Sequence, residues 1–371
     1  SRKVYEPLVT ISGAGNLIIG NGEELKINTT APSIVKNNCS SCNYNASHEN
    51  RSSSSTHSEH LAAVIRFSGN IEFRNGSTVQ VFGKYGLSIT SQNGHILIET
   101  NINMTCTEKV LDKTCLGGFT QSSVGVDDRT SKLLYYGLGP GGFKRGQYRL
   151  PWRNSCIPGS SHGGIAPAQS GTKPYSGPAY DQNDTVSLLG GSGGSCLSST
   201  GSVAGGGAIE IKAEKGCIII NAIIKASAQT ETDNSKICSG GAGGLIRLKA
   251  RQVDLREQGK LIVDGGNEKQ GSGAVSSLGG GAGGIIQIIS PAGRLPLNAL
   301  SLKRGKKTSS SCKEAVPGYY FVADYSKADN IEMFPDTKPY NWSSRSSQSC
   351  PLRYFSVTPT HQGKYQRFKS M

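Results

Sequence analysis

The stretch Gly205-Gly206-Gly207-Ala208-Ile209-Glu210-Ile211-Lys212-Ala213 returns as Gly243-Gly244-Leu245-Ile246-Arg247-Leu248-Lys249-Ala250, and again as Gly283-Gly284-Ile285-Ile286-Gln287-Ile288-Ile289-Ser290. Ala208 and Leu245 are 37 residues apart, and Leu245 and Ile285 are 40 apart. One set of alternate positions is Ile209, Ile211, Ala213, then Ile246, Leu248, Ala250, then Ile286, Ile288, Ser290. The other set begins with Glu210, Arg247 and Gln287 and stays polar in two of the three copies. Period-two alternation of this kind reads as a strand with one buried and one polar face.

Each copy carries further short strands. Ile223-Ile224-Lys225-Ala226 matches Leu261-Ile262-Val263-Asp264 at a spacing of 38, and Cys217 to Ile220 corresponds to Gln252 to Leu255. A repeat made of a few short strands cannot bury its own apolar face. Stacked in register, such repeats share a continuous core. The fold class expected is therefore all-β, a parallel β-solenoid with long Gly/Ser-rich loops, its glycines placed at corners that need φ > 0. Strand signals also run through the N-terminal part: Leu8 to Ile11, Leu17 to Ile19, Val64 to Phe67, Ile71 to Phe73, Val79 to Phe82, Leu87 to Ile89 and His95 to Glu99. Turn dipeptides at Asn75-Gly76 and Asn93-Gly94 punctuate them. Residues 36–60 are low in complexity and read as a long loop inserted in a solenoid of residues 1–292. The Gly-rich repeat core spans 160–292, residues 115–200 are loop-rich, and a helical period is nowhere sustained. Residues 293–371 read as a C-terminal cap or assembly extension holding Cys312 and Cys350, the kind of cover a solenoid end needs.

Blocks of Gly-Gly-Gly-(Ala/Ser)-Gly-Gly followed by an alternating strand, then a short strand ending in Asp/Ala-Gly-Gly, resemble the glycine-rich β-helical repeats of large extracellular and cell-surface proteins. These include plant glycine-rich surface proteins and proteins of protists and aquatic animals. Ser161-His162-Gly163-Gly164 and Gly190-Gly191-Ser192-Gly193-Gly194 fit the same pattern. The resemblance implies an extracellular structural or adhesive role and carries over no catalytic residue. Val316-Pro317-Gly318-Tyr319-Tyr320 resembles cysteine-rich receptor modules but lacks their further cysteines.

Composition narrows the classes. The 371 residues include 49 glycines, and 40 Lys plus Arg less 26 Asp plus Glu leave a net charge of +14. No apolar run approaches the roughly 18 residues of a membrane span, no heptads make a coiled coil, and the glycines lack a collagen period. The positive charge favours anionic partners. Ten cysteines are dispersed along the chain: Cys39, Cys42, Cys106, Cys115, Cys156, Cys196, Cys217, Cys238, Cys312 and Cys350. An even, scattered set reads as disulfides. Pairing nearest neighbours gives Cys39–Cys42, Cys106–Cys115, Cys156–Cys196, Cys217–Cys238 and Cys312–Cys350. Asn-x-Ser/Thr sequons stand at Asn28, Asn38, Asn45, Asn50, Asn75, Asn103, Asn183 and Asn341. Together they point to a secreted or cell-surface glycoprotein, and Ser1-Arg2-Lys3 opens no signal-peptide core.

The candidate chemistries have plain alternatives. Cys39, Cys42, His57 and His60 have zinc-ligand residue types, but the segment between them lacks a packing core and holds two sequons. Asp181 to Asp184 offers oxygens to calcium without the remaining loop ligands. No metal site and no cofactor is expected. Asp127-Asp128, His162 and Arg247-Leu248-Lys249 follow the order found in pectin-degrading β-helix glycosidases, which the chain resembles there. Ser161 replaces the first glycine of their Gly-His-Gly segment, and Arg247 and Lys249 already fit the repeat's polar face. No phosphate-binding glycine motif occurs, and neither a reading helix nor a basic-aromatic pattern supports nucleic-acid binding. Lys303 to Lys307 with Lys364, Arg367 and Lys369 form a basic surface suited to acidic glycans or a neighbouring subunit. The expectation is a non-enzymatic, secreted, glycosylated structural or adhesive protein that self-associates into a filament or matrix. The alternatives are a polysaccharide-active enzyme and an acidic-glycan-binding module.

Overall fold

The computed structural model describes residues 6–30, 33–37, 61–106, 114–126, 133–142, 156–166, 177–180, 187–197, 203–269, 277–296, 298–307, 312–323 and 331–335. These residues are all-β, with no helix among them. Each pass of the chain contributes up to three strands, the first two to one sheet each and the third to one of two further sheets. The longest runs in the order Glu6–Gly13, Leu61–Phe67, Gly86–Ser91, Ala208–Ala213, Leu245–Lys249, Ile285–Ile289 and Tyr319–Ala323, every pair parallel. Ile331–Pro335 ends it antiparallel. A second sheet stacks Leu17–Ile19, Ile71–Phe73, Ile96–Ile98, Cys217–Ile220, Gln252–Leu255 and Ala292–Arg294, all parallel. The third segment of each pass lies in one of two sheets. Ser33–Asn37, Glu24–Asn28 and Thr78–Phe82 form one, and Ile102–Asn103, Ile223–Lys225, Lys260–Ile262 and Leu300–Ser301 the other.

The repeat dictates this register. Ile209 pairs with Ile246 and Ile246 with Ile286, so the same aliphatic position recurs from strand to strand. Leu87, Ile209, Ile246 and Ile286 are wholly buried in one cluster with Ile96, Ile218 and Val253 of the second sheet and Ile224 and Leu261 of the third segment. Burial of aliphatic side chains of this size stabilises by about 1.5–3 kcal/mol each. The predicted strands between Leu17 and Ile98 all form, and Cys217 to Ile220 pairs with Gln252 to Leu255 as the spacing indicates.

Several expectations need correction. Ile223 pairs with Lys260 and Ile224 with Leu261, one residue from the predicted alignment. The slip matters because neighbouring strand residues face opposite ways: Ile224 and Leu261 share the core, whereas Ile223 is half-buried. The polar positions of the repeat are not solvated, since Glu210, Arg247 and Gln287 are buried and both faces of these strands are covered. Finally, Gly190 to Gly194 and Ser161 to Gly164 supply no strand to the longest sheet. Gly86–Ser91 pairs directly with Ala208–Ala213; Ile96–Ile98 and Ile102–Asn103 complete that pass in the stack, and the chain from there to Ala208 forms an excursion. The stacking also continues past residue 292, through Leu300–Ser301 and Tyr319–Ala323.

The disulfides tie this excursion to the stack. Cys106–Cys115 forms as expected. Cys156 bonds Cys312, and Cys196 bonds Cys238, in place of the predicted Cys156–Cys196, Cys217–Cys238 and Cys312–Cys350. Cys196 and Cys238 face each other on antiparallel strands, which brings together residues 42 apart in sequence. Cys217 is disulfide-bonded too, though not to Cys238. Cys39, Cys42 and Cys350 lie outside the described residues.

Candidate functional site

The glycine runs pack beside one another, backbone on backbone. Gly240 and Gly243 donate to the carbonyls of Gly279 and Ala282, Ser239 and Ala242 to those of Ser195 and Ser192, and Gly281 and Gly284 to those of Gly266 and Val263. Each run thus meets one neighbour every third residue. That threefold repeat is what an extended polyproline-II strand presents, with its amides aimed in successive directions. The predicted role for these glycines therefore changes. Among the described glycines only Gly15, Gly22, Gly76, Gly83, Gly117 and Gly139 lie in the left-handed region. Those of the runs are required by close approach: a Cβ on Gly281 would stand 1.8 Å from the Gly241 carbonyl oxygen, and one on Gly205 1.9 Å from that of Gly191.

His162 is sealed inside this layer. Its Nδ1 lies 2.6 Å from the Gly243 carbonyl oxygen, so Nδ1 carries the proton and donates it. Nε2 is buried with no hydrogen-bond partner. The Tyr180 ring packs on it at 4.6 Å, and the Tyr180 hydroxyl is 2.7 Å from the Gly190 carbonyl and 3.0 Å from Ser192 Oγ. Burial pushes the imidazole pKa down to about 4, against the smaller opposing effect of the Gly243 and Gly244 carbonyls.

Arg247 occupies the covered outer face of the longest sheet. Its Nε donates to Gln287 Oε1 at 2.6 Å, one terminal nitrogen meets Glu210 Oε2 at 3.3 Å, and the other donates to the Ser187 carbonyl at 2.6 Å. Ser88 Oγ donates to Glu210 Oε1 at 3.0 Å. Ser88, Glu210, Arg247 and Gln287 are register partners on four adjacent strands, so the row neutralises its own charge under the Ser187 segment. Two residues along, Arg66, Thr90, Lys212 and Lys249 form a second row. There Lys212 pairs with Glu214 at 2.7 Å, and burial lowers the Lys249 pKa, with Lys212 adding to the effect.

An open groove of about 570 Å³ crosses four successive connections between the second sheet and the strands after it, at residues 75–77, 99–101, 221–223 and 257–260. Its floor is held by amide side chains: Asn101 Oδ1 accepts from the Ile223 amide at 2.9 Å, and Asn221 Oδ1 from the Gln258 amide at 3.3 Å. Glu99, Glu257 and Lys260 supply charge.

The predicted catalytic set is not assembled among the described residues. His162 and Arg247 are both wholly buried, out of reach of a polysaccharide, and Asp127-Asp128 lies outside the described residues. So do Asp181 to Asp184, His57, His60, Lys364, Arg367, Lys369 and the sequons at Asn38, Asn45, Asn50, Asn183 and Asn341. Asn75 and Asn103 are exposed and Asn28 is half-buried. Within the basic run, Lys303, Arg304 and Lys306 are exposed, Arg304 pairs with Glu314, and Lys307 donates to the Cys312 carbonyl. Among the described residues no three His, Cys, Asp or Glu side chains gather as metal ligands, and no helix is long and apolar enough to cross a membrane. Sequence reasoning missed Tyr180 and the groove. Asn101, Asn221 and Gln258 stand one pass apart, but only the register of the short strands aligns them. Comparison with models of protein families, with curated proteins and with solved structures gives no match.

Proposed function

We propose that the chain is a secreted, N-glycosylated β-solenoid that serves as a structural or adhesive element of an extracellular filament or matrix. The observation that carries this reading is the covering of both faces of the stacked strands. Aliphatic ladders lie on one side and a self-neutralised polar row on the other, so the chemically versatile side chains Arg247, Glu210 and His162 serve internal order. Three disulfides are compatible with an oxidising compartment. Among the described residues the outermost strands of the longest sheet are Glu6–Gly13 and Ile331–Pro335, and contacts that repeat without closing build fibres.

The test is secretion of the full chain from cultured eukaryotic cells, followed by glycopeptide mapping and negative-stain imaging over a concentration series. Occupied sequons and concentration-dependent filaments or sheets are expected. A chain without glycans that stays as uniform single particles at every concentration would overturn the reading. A second reading, binding of acidic glycans, draws on Arg66, Lys212 and Lys249, which share one row with Thr90, and on exposed Lys303 and Lys306. Salt-sensitive retention on heparin or pectin by unassembled particles would favour it.

A further inference from the structure

The groove across the four connections has a covalent candidate occupant at its rim. Asn75 begins the sequon Asn75-Gly76-Ser77, and Asn75, Gly76 and Ser77 all line the groove. The sequon forms a tight turn: the Ser77 amide donates to the Arg74 carbonyl at 3.1 Å, and Gly76 takes φ of 78°. Asn75 thus stands at the second position of the turn with its side chain exposed.

The rest of the lining suits a hydroxyl-rich and amide-bearing ligand. Asn101 and Asn221 use their side-chain oxygens on backbone amides, and each retains an NH2 group with two donors. Glu99 and Glu257 add acceptors and Lys260 adds donors. The lining residues come from four successive passes, spaced by about 4.8 Å each, so the groove is elongated along the stack. Its volume falls in the range of sites that enclose small ligands. The other described sequons differ from Asn75. Asn28 and Asn103 turn their side-chain oxygens onto the Thr30 and Thr105 amides, at 2.9 and 3.0 Å, and neither lines the groove.

We propose that the glycan attached to Asn75 folds back into this groove, its first sugars hydrogen-bonded along the four connections. The inference rests on the reading of the chain as a secreted glycoprotein and adds a defined seat for one glycan. There the sugar chain bridges four passes of the fold as an extra brace.

The experiment treats the full secreted chain with a peptide-glycan amidase, native and denatured, and follows each sequon by glycopeptide mass spectrometry. Native release at Asn75 is expected to be slower than at Asn28 and Asn103 by about tenfold or more, equivalent to roughly 1.4 kcal/mol of protection. The difference should vanish on denaturation. The double variant Glu257→Ala/Lys260→Ala, at two exposed positions, should bring native release at Asn75 close to that at Asn103. Equal native rates in the unmodified chain overturn the proposal. So does an unmodified Asn75 beside occupied Asn28 or Asn103, which leaves the secreted-glycoprotein reading standing. A chain with no glycan at any sequon removes both.

Discussion

The His162 imidazole donates through Nδ1 to a backbone carbonyl and buries a lone pair at Nε2 that no donor meets. Neutrality is thus built into its position, and the cost appears in acid. In the folded chain the pKa lies at about 4, below the ordinary 6.5. As pH falls from 6.5, the unfolded chain takes up a proton that the folded chain refuses, so stability is intact above that value and declines towards pH 4. A shift of this size corresponds to about 3 kcal/mol. We predict that urea midpoints fall over this window and that His162→Gln, which keeps a donor for the Gly243 carbonyl, flattens the decline. A wild-type midpoint independent of pH between 6.5 and 4 would refute this. His162 was legible in the sequence as one member of a glycine-rich block. Its burial was not, because what encloses it is backbone from runs distant in sequence. Arg247 posed the same difficulty. Its alternation marked it as outward-facing, and outward was equated with solvent, when an excursion of the same chain covers that face.

Individual strands were easier to read than the segments between them. Ile209, Ile246 and Ile286 announce their register, because a ladder of aliphatic residues tolerates one alignment. The three-residue strands carry less information: Ile223-Ile224 and Leu261-Ile262 are both apolar pairs, and their alignment was read one residue out. The glycine runs misled for a further reason. A missing side chain permits an unusual φ or a close neighbour, and only the three-dimensional structure says which is used. The two uses separate experimentally. Gly22, with φ of 76° and open space around it, should accept Gly22→Ala at a cost of about 1–2 kcal/mol. Gly281→Ala forces a methyl group into the Gly241 carbonyl and should cost more than about 4 kcal/mol, or prevent folding. Thermal melts and secreted yields of the two variants compare them directly, and similar values would show that the runs are not packed this closely.

Across the whole molecule, the cysteines show where proximity in sequence fails. Neighbouring cysteines were paired as if the chain folded locally, whereas the long excursion returns to the stack and Cys156 reaches Cys312, 156 residues away. Cross-linking so long a loop restricts the unfolded chain far more than the nine-residue separation of Cys106–Cys115. The loop-entropy difference is about 2.5 kcal/mol. The Cys156→Ser/Cys312→Ser variant is therefore expected to lose more stability to urea than Cys106→Ser/Cys115→Ser, and the reverse order would contradict the tie described here. The excursion also bears on how the protein is made. Gly86–Ser91 must find Ala208–Ala213, and Ser88 must meet Glu210 from 122 residues away. At about 5–20 residues per second, a ribosome needs roughly 6–23 seconds to supply the missing partner. For that interval the growing sheet ends in a bare edge, open to any other extended segment nearby, so biosynthesis is where this architecture is most vulnerable to error.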